Sequence, residues 1–122
     1  MEQIVISGTG VFTPEESITN KELVESYNKY AEHYNQKNKK DIDLGKKTAL
    51  DLSNEEFIFN ASCIKNRYVI DKKGILDPEI MHPILDKRSD DHPSILAERS
   101  VKAAKQALDN SGKTSNDIDA VI

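Results

Sequence analysis

The sequence contains one cysteine and three histidines, residue types that often act as nucleophiles and proton-transfer groups. Cys63 is the single cysteine, and a thiol acts as a nucleophile only where its thiolate is stabilised. The sequence pattern places Cys63 at the end of a short predicted helix, where the negative end of the helix dipole disfavours a thiolate. No histidine lies near it in the sequence. The sequence therefore predicts a structural role for Cys63.

Signals for a metal or a cofactor are weak. The histidines His33, His82 and His92 share no ligand spacing with one another or with the cysteine, so surface positions are the preferred interpretation. Gly8-Thr9-Gly10 begins like a dinucleotide-binding fingerprint, but Thr13 stands where the third glycine would be. A structural turn is favoured there. We expect no metal and no cofactor.

The composition is typical of a folded and very soluble chain. Of the 122 residues, 37% are hydrophobic and 31% are charged. The net charge of −4 argues against nucleic acid as a partner, because binding phosphates needs a basic surface. No apolar run approaches the roughly 18 residues of a membrane span, and residues 1–6 lack a signal-peptide pattern. A lone cysteine fits a reducing compartment, so we expect a cytoplasmic protein without nucleic-acid or membrane partners.

Two sequences of the form Ser/Thr-x-x-Glu predict the first turns of two helices, because each side chain can bond the other residue's free backbone amide. The boxes and their helices are Thr19 with Glu22 for residues 20–34, and Ser53 with Glu56 for residues 54–62. Leu52 and Phe57 flank the second box as a hydrophobic staple, which places both side chains in a core.

A third helix has the clearest pattern and covers Ser94 to Asn110. Ala103 and Ala107 widen its apolar face with small side chains, which allow a neighbouring segment to approach closely. Gly112 supplies a left-handed stop.

Three apolar segments predict strands: residues 4–6, 64–70 and 118–122. Residues 71–74 are predicted to form a turn, and residues 36–50 and 75–92 to form loops or insertions. The last strand has nothing after it to pair with or to cover it, although a buried Val or Ile contributes roughly 1.5–3 kcal/mol only when it is covered. We therefore expect that the natural protein is longer than this chain.

The order of six weak motifs resembles the N-terminal part of β-ketoacyl-acyl-carrier-protein synthase III enzymes, the condensing enzymes of the thiolase superfamily. The resemblance covers nearly the whole chain except the two loop segments. The motifs are the first strand ending in Gly8-Thr9-Gly10, Ile18-Thr19-Asn20, Ser53 to Phe57, Ile64 to Val69, the alanine-rich helix ending near Gly112, and Asp117 to Ile122.

This resemblance implies a fold class and an activity. The fold would be α/β, the N-terminal part of a thiolase-like layered α-β-α-β-α arrangement that is incomplete in residues 1–122. The activity would be decarboxylative Claisen condensation of an acyl thioester with malonyl-acyl-carrier-protein in fatty-acid biosynthesis. The partners would be acyl-carrier protein or acyl-CoA, and the full-length enzyme would be a homodimer. The resemblance also implies that the catalytic cysteine, histidine and asparagine follow residue 122, so this segment would be inactive alone.

Phe57 is the one candidate substrate-binding residue. Many members of the family carry a tryptophan here that stacks on the adenine of coenzyme A, with an arginine four residues later. This chain has Phe57 and Ala61, so one aromatic face is kept and the cation is lost. An acyl-carrier thioester then becomes more plausible as the donor. The preferred alternative is that Phe57 fills the core beside Leu52.

The resemblance also bears on Cys63, because most relatives carry glycine at its position.

Five lysines between residues 37 and 47 suggest an electrostatic contact with an acidic carrier protein, although a solvated loop explains them equally well. Two other functions stay open. The scaffold could carry a different thiolase-superfamily acyl transfer, or the chain could be a non-catalytic module that binds an acyl carrier.

Overall fold

The computed structural model describes residues 4–121. It divides into two compact units that are described separately here. The central region is Pro14–Leu85, and the flanking region combines residues 4–13 with residues 86–121. Their helices and strands make the described chain mixed α/β.

The central region contains two strands and four helices. The antiparallel strands are β1 (Glu16–Thr19) and β2 (Asn66–Val69), and the helices are α1 (Asn20–Lys37), α2 (Lys39–Asp43), α3 (Glu55–Ser62) and α4 (Lys72–Leu76). Ile18 pairs with Arg67 across the sheet and is 1% exposed. Ala31 on α1 is fully buried, so these two side chains are the apolar centre of this region.

The start of α1 confirms the first capping box. The Glu22 amide donates to Thr19 Oγ1 at 3.2 Å, and Glu22 Oε2 accepts from the Thr19 amide at 3.0 Å. The side chain of Asn20 connects α1 to two residues, one just before β2 and one within it. Its side chain, 6% exposed, donates to the Ile64 carbonyl at 2.8 Å and accepts from Arg67 Nη1 at 2.7 Å. The helix and the hairpin are therefore joined through a satisfied buried amide.

The predicted position of the second helix cap is wrong by one residue. Asn54, not Ser53, is the N-cap of α3, and its side chain accepts from the Phe57 amide at 2.8 Å. The C-cap is Cys63 in the left-handed conformation, with φ of 56°. Residue 63 thus has the backbone that glycine favours.

Other boundaries differ from the sequence predictions. The predicted turn at residues 71–74 is wrong, because α4 begins at Lys72. Its cap, Asp71, accepts from the amides of Gly74 at 3.0 Å and Ile84 at 2.7 Å, which lowers the pKa of its carboxyl. The predicted loop at 36–50 contains the end of α1 and all of α2. β1 was not predicted, because a strand with a single apolar residue, Ile18, gives no periodic signal.

The flanking region contains one long helix, α5 (Ile95–Ser111), and a 3-10 turn at Ser115–Asp117. Ser94 caps α5, and Gly112 ends it with φ of 65°, as predicted. The strand predictions at residues 4–6 and 118–121 are wrong, and residue 122 lies outside the described residues. Among residues 4–121 neither segment pairs with a strand, and their apolar side chains are exposed. Apolar residues alone do not make a strand without a partner.

A close backbone contact orders the N-terminal part of the flanking region. Cβ atoms added to Gly8 and Gly10 would collide with the backbone carbonyls of Ala107 and Ala103. This confirms that the small residues of α5 admit a neighbour at short distance. Gln106 Oε1 accepts from the Val11 amide at 2.6 Å and fastens the segment along the helix.

None of the helices in residues 4–121 combines the length and apolarity needed to cross a membrane.

Candidate functional site

An apolar groove of the central region, here the Phe57 groove, has a volume of about 660 Å³. Three elements and one loop residue form its walls. They are α1 (Leu23, Val24, Tyr27), the stretch before α3 (Asp51 to Asn54), α3 itself (Phe57, Ile58) and Met81. The groove is open to solvent, and its volume is in the range of pockets that hold drug-sized ligands.

Phe57 lies in this groove and is 65% exposed. The prediction that it fills a core beside Leu52 is wrong, since Leu52 is itself 57% exposed. The physical reason is the shallow packing of α3, which has no buried residue and only one half-buried residue, Ile58. Both residues of the staple therefore face the groove. The aromatic face of Phe57 is available to a ligand.

Two asparagines on α1 hold the outer wall of the groove. Asn28 donates to the Ser53 carbonyl at 3.0 Å and accepts from the Ser53 amide at 2.8 Å. Asn35 makes the same pair of bonds with Leu50, at 2.9 and 2.8 Å. Each asparagine side chain thus satisfies both the N–H and the C=O of one extended residue, as a neighbouring β-strand would. Leu52 and the first residues of α3 are placed by these contacts.

These asparagines were not recognised from the sequence. Their signal is a seven-residue spacing, which puts both amides on one side of α1. The same contacts explain the shifted helix cap. Because Asn28 binds both backbone groups of Ser53, the chain is still extended at that residue and α3 starts one residue later.

Met81 closes one end of the groove with an unusual backbone. Its φ is 54°, in the left-handed region that an unbranched side chain enters at a cost. The Met81 amide donates to the Asp77 carbonyl at 2.9 Å, and this bond holds the turn after α4. A flexible thioether is therefore presented to the groove by a fixed backbone.

The other candidate residues are not brought into one site. Cys63 is exposed at the end of α3, and His33 lines a second groove with Tyr30 and Tyr34. His82 lies in the loop after α4, where Nδ1 is 3.1 Å from the Pro83 carbonyl. Across residues 4–121, no group of three or more His, Cys, Asp or Glu side chains is placed to hold a metal ion.

An ion pair fixes the base of α1 on the far side from the asparagines. Lys72 Nζ lies 2.6 Å from Glu22 Oε1. The hydrogen bond from Lys72, followed by those from the Thr19 amide and hydroxyl, lowers the pKa of Glu22 from 4.5 to about 2. Glu22 is therefore ionised at all physiological pH values and serves as a structural anion.

Comparison with curated proteins finds a related condensing enzyme. The chain is 46% identical over 99 residues to the β-ketodecanoyl-[acyl-carrier-protein] synthase of Pseudomonas aeruginosa. The chain is a relative of the condensing enzymes. This match confirms the part of the motif resemblance that concerns condensing enzymes. The aligned part covers 81% of the chain and 28% of that synthase, so the chain spans well under a third of the relative. No protein-family model matches the chain described here.

Proposed function

We propose that the full-length protein is a β-ketoacyl-acyl-carrier-protein synthase of the synthase III type, and that residues 4–121 supply part of its acyl-donor site. The observation that carries this proposal is the 46% identity to a synthase named for a β-ketodecanoyl thioester of acyl-carrier protein. The layered thiolase-like fold, the N-terminal position of this segment and a homodimeric full-length enzyme belong to the same proposal.

The proposed reaction needs a cysteine, a histidine and an asparagine side chain. In our proposal these three residues lie outside residues 4–121. A cysteine thiolate takes the acyl group from its thioester carrier and releases the carrier thiol. Malonyl-acyl-carrier-protein then loses carbon dioxide, and the resulting enolate carbon attacks the acyl-cysteine carbonyl. A new carbon–carbon bond forms, the carbon–sulfur bond to cysteine breaks, and the thiol is regenerated. Histidine and asparagine donors stabilise the enolate and the tetrahedral oxyanion.

The Phe57 groove supports an acyl-donor role for this segment. Phe57 offers an exposed ring, and the apolar side chains around it form a surface for a flat or aliphatic group. Ala61, one turn later, offers no cation to a nucleotide phosphate. We therefore propose an acyl-carrier thioester ahead of acyl-CoA as the donor.

The decisive experiment measures condensation by the full-length protein. Labelled malonyl-acyl-carrier-protein is mixed with either acyl-CoA or acyl-acyl-carrier-protein, and formation of the β-ketoacyl product is followed. We expect product with at least one donor. Product with neither donor overturns the proposal. Acyl transfer without loss of carbon dioxide would instead identify a different thiolase-superfamily reaction, and carrier binding without chemistry would identify a binding module.

Two phenylalanines on α3 provide a matched pair for testing the groove. Phe57→Ala removes the exposed ring and should raise KM for the acyl donor by about three- to tenfold with kcat kept. Phe59→Ala lies outside the groove, with Lys65 Nζ 5.7 Å from its ring centre, and should leave KM unchanged. Equal KM values for both variants would remove Phe57 from the donor site.

A further inference from the structure

The end of α1 and the residues after it form a compact basic projection. Residues 37–47, here the basic elbow, contain five lysines and two aspartates. Their net charge is therefore +3 within a chain of −4, which leaves −7 for all other residues. The basic elbow therefore has a net positive charge within an acidic chain, although other lysines of the central region lie outside it.

The basic elbow has a defined backbone. The Asp41 carbonyl accepts from the amides of Lys46 at 2.8 Å and Lys47 at 3.2 Å, and Gly45 turns the chain with φ of 68°. Asn38 donates to the Tyr34 carbonyl at 2.8 Å and accepts from Lys47 Nζ at 2.5 Å. These bonds fix the backbone of the elbow and the side chain of Lys47.

Two of the lysines are used inside the elbow. Lys39 pairs with Asp43 at 3.1 Å, and Lys47 lies 3.7 Å from Asp41. The other three, Lys37, Lys40 and Lys46, are exposed and have no carboxylate partner among residues 4–121. Three positive charges on a fixed backbone are thus available to an external anion.

An exposed apolar residue lies among these charges. Leu44 is 68% exposed at the turn between α2 and Lys46. Beside the elbow, a groove of about 730 Å³ is lined by Tyr30 and Tyr34 together with Lys37 and Lys47. An exposed apolar side chain with a polar rim, next to the partly exposed rings of Tyr30 and Tyr34, matches the core-and-rim pattern of protein–protein interfaces.

We propose that the basic elbow docks the acyl-carrier protein, an acidic protein partner whose carboxylates would meet Lys37, Lys40 and Lys46 while Leu44 contacts an apolar residue between them. This inference rests on the proposed function for the identity of the partner. The opposite charge of the two surfaces favours a protein carrier over small anions, because three separated lysines match an extended acidic surface better than one phosphate. Electrostatic docking of this kind accelerates association and weakens with added salt.

The test measures carrier binding and turnover with the full-length protein. The triple variant Lys37→Glu, Lys40→Glu, Lys46→Glu should weaken binding of acyl-carrier protein by about tenfold or more and raise KM for malonyl-acyl-carrier-protein equally, with kcat kept. The control, Lys21→Glu, Lys29→Glu, Lys105→Glu, has the same change in net charge at exposed sites outside the elbow. It should change binding less than about threefold. Thermal melts of both variants verify folding.

A second variant separates the apolar contact from the charges. Leu44→Ser should weaken binding by about three- to tenfold without altering its salt dependence, whereas the triple variant should lose that dependence. Suppose that the wild-type protein catalyses condensation and binds the carrier, and that the elbow and control variants bind it equally well. The docking proposal is then overturned, and the proposed function stands. If the wild type does not condense but binds through the elbow, the proposed function falls alone. Absence of both activities overturns both.

Discussion

The central and flanking regions use similar local signals but reach different degrees of burial. The central region buries Ile18 and Ala31 and satisfies the buried amide of Asn20. In the flanking region no side chain of residues 4–13 or 86–121 is buried, and Leu96 and Val101 on α5 are 74% and 52% exposed. Capping and helical periodicity therefore determine where a helix forms, whereas long-range contacts determine what it covers.

The largest expected difference between the regions is the cost of removing an aliphatic side chain. Ile18→Ala should lower the free energy of unfolding by about 2–4 kcal/mol, because it leaves a cavity under the sheet. Val101→Ala should cost less than about 1 kcal/mol, since the side chain is half exposed. All four tyrosines lie in the central region, so their fluorescence during urea unfolding measures the Ile18 variant, and hydrogen exchange of the α5 amides measures the Val101 variant. Equal effects of both variants would contradict the comparison.

The next difference is between two asparagines that bind backbone groups. Asn28→Ala removes two bonds to half-buried Ser53 and should cost about 1–3 kcal/mol. Asn110→Ala in the flanking region removes one exposed bond to the Thr9 carbonyl, 2.8 Å long, and should cost about 0.5 kcal/mol or less. Hydrogen exchange at the Ser53 amide provides a local measurement. Unchanged protection of that amide in Asn28→Ala would show that the groove wall does not depend on Asn28.

A smaller effect distinguishes the two left-handed helix ends. Cys63→Gly should stabilise the central region by roughly 1 kcal/mol, because glycine adopts φ near 56° without strain and the exposed thiol loses no packing. Gly112→Ala should destabilise α5 by about the same amount. Thermal melts of each variant against the wild type test both signs. A clearly destabilised Cys63→Gly protein would show that the thiol makes a contact that matters.

The smallest effect is a pH dependence at the base of α1. The pKa of Glu22 is about 2 in the folded protein, below its ordinary value of 4.5. The ionised Glu22 carboxylate therefore stabilises the fold fully above pH 4.5. The contribution is lost as the pH falls from 4.5 toward 2. In the flanking region Arg88 lowers the pKa of Glu98 in the same direction, through a pair 2.8 Å apart. NMR titration of the glutamate side chains measures both values, and Lys72→Met should raise the Glu22 value. A Glu22 carboxyl that titrates near 4.5 in the wild type would show that the ion pair does not form.

Sequence reasoning succeeded where one local interaction decides the structure. Thr19 with Glu22, Ser94 and Gly112 each act within a single turn, and the structure confirms all three. It failed where a distant partner decides. Residues 4–6 have strand-like composition but no strand to pair with among the described residues, and β1 forms because Ile18 meets Arg67 almost fifty residues later.

The candidate site follows the same division. Phe57 could be named from the sequence through a family resemblance, and its residue type could be interpreted. Its exposure could not, because the positions of Leu52 and Phe57 depend on contacts between α1 and a segment about 25 residues later. Side-chain amides that bind a passing backbone leave no pattern in hydropathy, so this class of contact requires coordinates.

The two asparagine contacts have a chemical consequence for the lifetime of the groove. Spontaneous deamidation would convert Asn28 or Asn35 to aspartate, a change of nearly the same size that removes the N–H donor. The new carboxylate would then face the carbonyl of Ser53 or Leu50 without a hydrogen between the oxygens. Hydrolysis of one side-chain amide, with almost no change in side-chain size, would thus break a hydrogen bond that holds the wall of the groove.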